Sequence, residues 1–351
     1  MTSLGFGEAM LRFSPLTESD GRGNPSAAAP YLRAVGGDEL NVQVCLSRLG
    51  RPGCLASVLP PGPLGDVVAN SGGDAGVDVT SMMLREGADV GTFTVQPELR
   101  TVFYQRSQSA FAQQREGAFE WDAYLAGHET TFLHCTGITP MCSAAAAVNW
   151  TAHIEAAAKA GVPIICDLNH RPQLGTLEKL WALTEPHVHN FEMLVLSLAS
   201  LRGLAALLGV AVPEELQTGA AEDTPAWEEL LAALYTTILE RTAAGAAEGA
   251  SALRLACCFK IRTGASQRRW SIVVDAAGAH STAVAAVLHE PKDECGGGSA
   301  WCAGVMDYFM ENGLHGGCGE AASRGDNLAA LCQETAGDHS IVTRAELEAT
   351  K

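Results

Sequence analysis

The run from Thr131 to Asp167 constrains the fold more than any other part of the chain. Thr131-Phe132-Leu133-His134-Cys135 is an apolar, β-forming stretch that stops at Gly137. Residues 144–160 are Ala-rich and read as a helix, and Val162-Pro163-Ile164-Ile165-Cys166-Asp167 reads as the next strand. Two apolar strands joined through a helix predict a mainly parallel sheet with helices on both faces. Asp167 then stands at a C-terminal strand end, where such sheets hold their ligands. Two segments break the rhythm. Residues 11–35 and 92–108 are rich in β-formers and polar residues without a crossover helix nearby, and 92–95 with 101–106 read as a hairpin. They predict a small second sheet, a β lid over the first, within a single domain spanning 1–351. Residues 211–252 are Ala/Glu-rich, with a surface helix expected at 227–241 and flexible flanks at 245–249. No internal repeat is visible.

The bulk numbers exclude several classes. The chain has 351 residues, 47% of them hydrophobic and only 18% charged, which suits a large buried core and not a disordered chain. No stretch of 18 apolar residues offers a transmembrane helix, and no basic-then-apolar leader opens the chain. A net charge of −17 argues against general nucleic-acid binding, because phosphates are met by Lys and Arg. The 11 cysteines, an odd number scattered through apolar runs, suggest reduced core thiols in an intracellular, reducing compartment. There is no Cys-x-x-Cys pair, so no metal site is expected.

Four segments carry residues suited to chemistry. Gly36-Gly37-Asp38-Glu39-Leu40-Asn41 precedes the periodic run Val42, Val44, Leu46, Leu49. Paired glycines let a backbone approach a ligand, and a helix N-terminus offers free N–H groups, although an ordinary loop and cap would look the same. Tyr104-Gln105-Arg106 places Tyr and Arg on one side of a strand, where Arg could fork onto a carboxylate or simply face solvent. Asp167-Leu168-Asn169-His170-Arg171-Pro172 puts Asp, Asn and Arg at alternate positions beyond a buried strand. Asp293-Glu294-Cys295-Gly296-Gly297-Gly298-Ser299 precedes a helical run from Ala303 to Asn312 and reads as an anion cradle of backbone amides.

In this order the four segments resemble the PfkB (ribokinase-like) carbohydrate kinases, and within them the 2-keto-3-deoxygluconate kinases. The opening Gly5-Phe6-Gly7-Glu8-Ala9-Met10-Leu11-Arg12-Phe13-Ser14-Pro15 and the stretch Leu133-His134-Cys135-Thr136-Gly137-Ile138-Thr139-Pro140 are similar too. The resemblance spans residues 4 to 345 and is weakest from 211 to 290. It implies a three-layer α/β/α sandwich with a β lid. It also implies that Gly36, Gly37 and Asn41 meet sugar hydroxyls, and that Tyr104, Arg106 and Arg171 hold the keto acid. Lys260 and Asn327 would lie at the nucleotide, and Gly296, Gly297 and Gly298 would form the anion hole.

The phosphoryl-transfer half departs from the pattern. The family's catalytic base is the Asp that ends Asp-Thr-x-Gly-Ala-Gly-Asp, and here that position is Ser299. A serine hydroxyl does not accept a proton near neutral pH. The Asn-x-x-Glu motif that supports magnesium aligns with Ser197-Leu198-Ala199-Ser200, and the segment 261–269 after Lys260 is a poor match to the family's short glycine turn. Two readings follow from the resemblance. One is a pseudokinase with a structural or binding role, alone or within a protein assembly or homo-oligomer. The other is an active sugar-acid kinase using ATP and Mg2+, with Asp293 or Glu294 as the nearest substitute base.

Overall fold

The structure, a computed structural model, describes residues 1–15, 31–96, 101–218, 224–243 and 253–350. From the N-terminus, β1 (Thr2–Phe6), β2 (Met10–Pro15) and β3 (Tyr31–Gly36) lead into α1 (Asp38–Arg48). β4 (Gly53–Leu59), α2 (Pro63–Asp74), β5 (Val77–Asp78) and β6 (Met82–Leu84) precede β7 (Thr92–Gln96) and β8 (Thr101–Gln105). Next come α3 (Trp121–Gly127), β9 (Thr130–Thr136), α4 (Thr139–Cys142), α5 (Ala144–Lys159), β10 (Ile164–Asp167), α6 (Leu177–Thr184) and β11 (Met193–Ser197). α7 (Leu198–Leu207), α8 (Glu214–Gln217) and α9 (Thr224–Thr242) cross to β12 (Arg254–Thr263), β13 (Ser266–Asp275), β14 (Gly278–Ser281) and β15 (Val287–His289). α10 (Gly297–Asn312), α11 (Cys318–Gln333) and α12 (Arg344–Glu348) complete the described chain.

The main sheet runs β14-β13-β12-β11-β10-β9-β1-β4-β5, with β6 on β4 and β15 on β13. From β12 to β5 every pairing is parallel, and only the β12–β15 end is antiparallel. Side chains alternate between its faces. Leu133, Cys135, Ile164, Cys166 and Leu194 pack beneath α3, α5, α6, α7 and α9, while Phe132, Ile165 and Met193 pack against α1, α10 and α11. Apolar residues therefore cover both faces, which is why these strands read as nearly unbroken hydrophobic runs. All 11 cysteines are free thiols, and most are packed into these two cores.

β3-β2-β7-β8 form a separate four-stranded sheet, so both rhythm-breaking segments contribute to the lid. The expected hairpin is β7–β8, with Phe93 opposite Tyr104. The strands reach one residue beyond the expected 11–35, to Met10 and Gly36, while 16–30 and 97–100 fall outside the described residues. Two other expectations need correction. The helix at 227–241 is α9, and it is more than a surface element. Trp227, Leu231, Leu234 and Ile238 are fully buried, with Trp227 against Phe259 of β12 and beneath the Arg202 guanidinium. The flanks expected at 245–249 lie outside the described residues.

Trp227 gives this correction a direct test. Trp227→Ala removes a fully buried indole and should destabilise the fold by about 3–5 kcal/mol in urea unfolding. An exposed change on the same helix, such as Thr236→Ala, should stay within about 0.5 kcal/mol. Similar small effects for both would return α9 to the status of a peripheral helix.

Candidate active site

A cavity of about 650 Å³ opens where the C-terminal ends of β10 and β11 meet the lid, the start of α1 and the start of α10. The lid supplies Met10, Phe93, Val102, Tyr104 and the following Arg106, and α1 supplies Asp38, Glu39 and Asn41 behind Gly37. Asp167, Asn169, His170 and Arg171 enter from the end of β10, and Gly296, Gly297, Gly298 and Ser299 from α10. Tyr104, Arg106, Asn41, Gly37 and Arg171, singled out in the sequence, all line this one space. Lys260 lines its far side.

Gly36 and Asn327 do not line it. Gly36 is the last residue of β3, and its Cα faces the Asp338 carboxylate and the Phe93 ring. The glycine that lines the cavity is Gly37, the N-cap of α1, held at φ 156 with its Cα turned onto the Glu8 carbonyl so that a side chain has no room. Asn327 sits in the middle of α11, next to Asp326, whose carboxylate accepts hydrogen bonds from Ser271 and Thr282. Of α11, Gln333 and not Asn327 lines the cavity.

Arg106 and Arg171 differ in how their charge is met. Arg106 is buried and already paired, its Nε donating to Glu8 Oε2 at 2.6 Å and its Nη2 to the Cys142 Sγ at 3.2 Å. Its guanidinium also lies over the Tyr104 ring, 5.7 Å from the centroid. Arg171 has no such partner: its Nε is buried and unbonded among the described residues. The same is true of three acceptors on lining residues, Glu8 Oε1, Asp38 Oδ1 and Asn41 Oδ1. Buried polar atoms without partners are costly, and in a cavity they mark where a ligand supplies the missing bonds.

Several carboxylates are crowded behind these groups. Asn169, at φ 40, donates its N–H to Asp167 Oδ1 at 3.0 Å and its Nδ2 to Asp38 Oδ2 at 2.8 Å. Burial, and then the nearby Asp38, push Asp167 up to about 8 against the pull of Arg171. Burial and Asp38 likewise raise Glu39 to about 7, although it accepts hydrogen bonds from Thr136 and Thr139.

The α10 side of the cavity is built differently. α10 begins at Gly297, earlier than the expected Ala303, so Gly297, Gly298 and Ser299 form its first turn. Gly296 caps it in the left-handed region, φ 76, with its Cα toward the Asp338 carbonyl. The first N–H groups of such a helix lack intrahelical partners, and this cradle fits an anion. Neither acid before it is directed at Ser299. Asp293 Oδ2 takes the Arg12 guanidinium at 2.6 Å and the Gly337 N–H at 3.1 Å. Glu294 takes Lys260 Nζ at 2.8 Å and Arg262 Nη1 at 2.7 Å. At the end of β11, Ser197 caps α7 by accepting the Ser200 N–H, and its hydroxyl donates to Ser200 Oγ at 3.0 Å. These two hydroxyls serve each other, and the segment does not fit a magnesium-supporting role. β12 and β13 do close through a glycine turn, Gly264 at φ 63, which the sequence reading did not foresee.

The pfkB family carbohydrate kinase profile matches residues 3–200, more than half of the chain. A 2-dehydro-3-deoxygalactonokinase from Haloferax volcanii is 27% identical over 210 residues, 59% of this chain and 64% of that protein's length. The fold superposes on 2-dehydro-3-deoxygluconokinase from Thermotoga maritima with a TM-score of 0.81 at 20% identity, covering 99% of this chain and 97% of that one. Fructokinase from Xylella fastidiosa, solved with bound ATP, gives 0.74 at 18% identity, again over 99% and 97% of the two chains.

The crowded carboxylates predict a pH dependence. The folded pKa of Asp167, about 8, lies above the ordinary carboxylate value, so the folded state holds a proton that the unfolded chain has lost. That contribution to stability is complete below about pH 4 and disappears as pH rises through about 8. Glu39 acts in the same sense up to about 7. His134 and His153, kept near 4 and 3 by burial, act oppositely but only below about pH 6.5. From about pH 6.5 to 8.5 the native protein should therefore lose stability in urea unfolding, and Asp167→Asn should flatten that slope. Parallel slopes would show that Asp167 does not hold its proton.

Proposed function

The chain belongs to the pfkB family of carbohydrate kinases, and on that premise we propose that it binds a 2-keto-3-deoxy sugar acid but transfers phosphate to it poorly or not at all. The observation that carries this reading is the contrast between the two ends of one cavity. At the sugar end, buried groups await partners. At the phosphate end, the position suited to a base holds Ser299, and Asp293 and Glu294 are engaged in ion pairs.

The unmet groups describe a ligand. Arg171 Nε asks for an anionic acceptor, beside an Arg106 whose charge Glu8 already balances. Glu8 Oε1, Asp38 Oδ1 and Asn41 Oδ1 ask for donors, which sugar hydroxyls provide. A chain carrying a carboxylate at one end and several hydroxyls along it answers both demands. The names of the Haloferax and Thermotoga relatives agree with this substrate class.

An anion cradle alone positions a phosphate; it does not remove the proton of the attacking hydroxyl. A lost general base lowers rate by about 100- to 10,000-fold. Without a carboxylate at Ser197 or Ser200, weakened support for the metal compounds the loss. One observation bears on the alternative of an active kinase that uses ATP and Mg2+: Asp167 lines the same cavity, and with its pKa raised to about 8 it becomes able to accept a proton as pH rises through that value.

Calorimetry separates the sugar-acid assignment from a fold-deep likeness. The native protein should bind 2-keto-3-deoxygluconate more tightly than a neutral sugar of the same length. Arg171→Ala should weaken sugar-acid binding by about 1.5–3 kcal/mol, the scale of a charged hydrogen bond. Equal binding of acid and neutral sugar, or no change in Arg171→Ala, would defeat the assignment.

A further inference from the structure

The opposite end of the sheet carries a second polar cluster. Cys54 and Asp78 are register partners on the parallel strands β4 and β5, so their side chains leave one face of the sheet side by side. Cys54 is the second residue of β4, at the N-terminal end of the strands, away from the cavity at their C-terminal ends. His128, the C-cap of α3, reaches this face from the helix layer. Its ring stands 3.3 Å from Asp78 Oδ2 through Nδ1 and 2.6 Å from Ser81 Oγ through Nε2. Cys54 Sγ lies 3.9 Å from the same hydroxyl. Thiol, imidazole and carboxylate atoms all lie within 4.8 Å of one another.

We propose that Cys54, Asp78 and His128 bind a zinc-like divalent cation, with a water at the fourth position, and so pin α3 to the edge of the sheet. Sulfur, nitrogen and carboxylate donors are the set that zinc selects. With bonds of about 2.0–2.3 Å, ligand atoms around such an ion stand roughly 3.3–3.8 Å apart, so rotamer adjustments of about 1 Å close the site. Asp78 is already oriented as a ligand would be: Thr80 donates to its Oδ1 through both N–H and hydroxyl, leaving Oδ2 toward His128. Binding breaks the Cys54 S–H bond, forms a sulfur–metal bond and releases the proton to solvent.

A comparable trio, Asp275, His280 and Cys318, lies elsewhere on the surface, but there the Arg254 guanidinium bears on Cys318 and opposes a cation. The hydrogen bonds Ser81–His128–Asp78 alone would also suit a nucleophile relay, yet that reading leaves the buried Cys54 thiol without a role. No Cys-x-x-Cys spacing announces the site, because its ligands meet only through β4–β5 register and the end of α3.

The full chain, reduced and stripped with chelator, can be titrated with Co2+ and then Zn2+. The native protein should show a thiolate-to-cobalt charge-transfer band with tetrahedral visible bands, both displaced by Zn2+. Cys54→Ser should lose the charge-transfer band. His128→Gln, a change at a partly exposed residue, should weaken Co2+ binding by about 10- to 100-fold even if Cys54→Ser fails to fold. Cys318→Ser should behave like the native protein. A charge-transfer band that survives in Cys54→Ser, equal Co2+ binding by native protein and His128→Gln, or labelling of Ser81 by a fluorophosphonate would each overturn the assignment.

Discussion

One buried guanidinium joins the three pieces of chain that define the cavity. Arg12, on lid strand β2, donates Nη1 to Asp338 Oδ2 at 2.9 Å and Nη2 to Asp293 Oδ2 at 2.6 Å, with Nε held by Ser14. Asp293 stands just before the glycine cradle, and Asp338 follows α11 and backs both Gly36 and Gly296. Such buried pairs add little net stability over an apolar replacement, but loss of one partner strands the others without water. Their consequence is geometric. The lid, the cradle and the C-terminal segment have one mutual arrangement in which all three charges are met, and the cavity is the space that arrangement leaves.

Within that space the polar groups divide by how their needs are met. At the phosphate end the protein satisfies itself: Asp293 holds Arg12, Glu294 holds Lys260 and Arg262, and Ser197 holds Ser200. The pairs of Glu294 are partly exposed, and ion pairs of that kind are weak, so they occupy the cations without locking them. At the sugar end, Arg171, Asn41, Asp38 and Glu8 retain buried atoms with no partner among the described residues. On the function proposed above, a fold that leaves the groups around Arg171 unsatisfied beside ion-paired acids near Ser299 holds a sugar acid more readily than it modifies one.

Much of this was readable in the residues. Apolar strands around an Ala-rich helix specified the parallel sheet, and the β-rich interruptions specified the lid. Strand periodicity put Tyr104 and Arg106 on one side and drew attention to the polar residues where the Asp167 strand ends, while joining the two groups in one cavity rested on the family resemblance. What could not be read depended on contacts distant in sequence. Nothing local tells that Arg106 is balanced by Glu8, that Arg12 reaches across to residues 293 and 338, or that Trp227 is buried under a guanidinium. The start of α10 was hidden for a related reason. Glycines have poor helix propensity, and the close approach of the Asp338 carbonyl to Gly296 and of the Gln333 side chain to Gly297 accounts for two of the three, while Gly298 has open space beside its Cα. Gly36 and Gly37 look equivalent in sequence, but strand pairing claims the first and leaves the second to face the cavity.

The claim that recognition persists while transfer is impaired is tested most directly by incubating the native chain with 2-keto-3-deoxygluconate, ATP and Mg2+ and quantifying the phosphorylated product by mass spectrometry. The account predicts product at background, or slower by about 100- to 10,000-fold than an enzyme with its general base in place. Sustained turnover at about 1–100 per second, the ordinary range for kinases, would contradict it and identify a base other than residue 299.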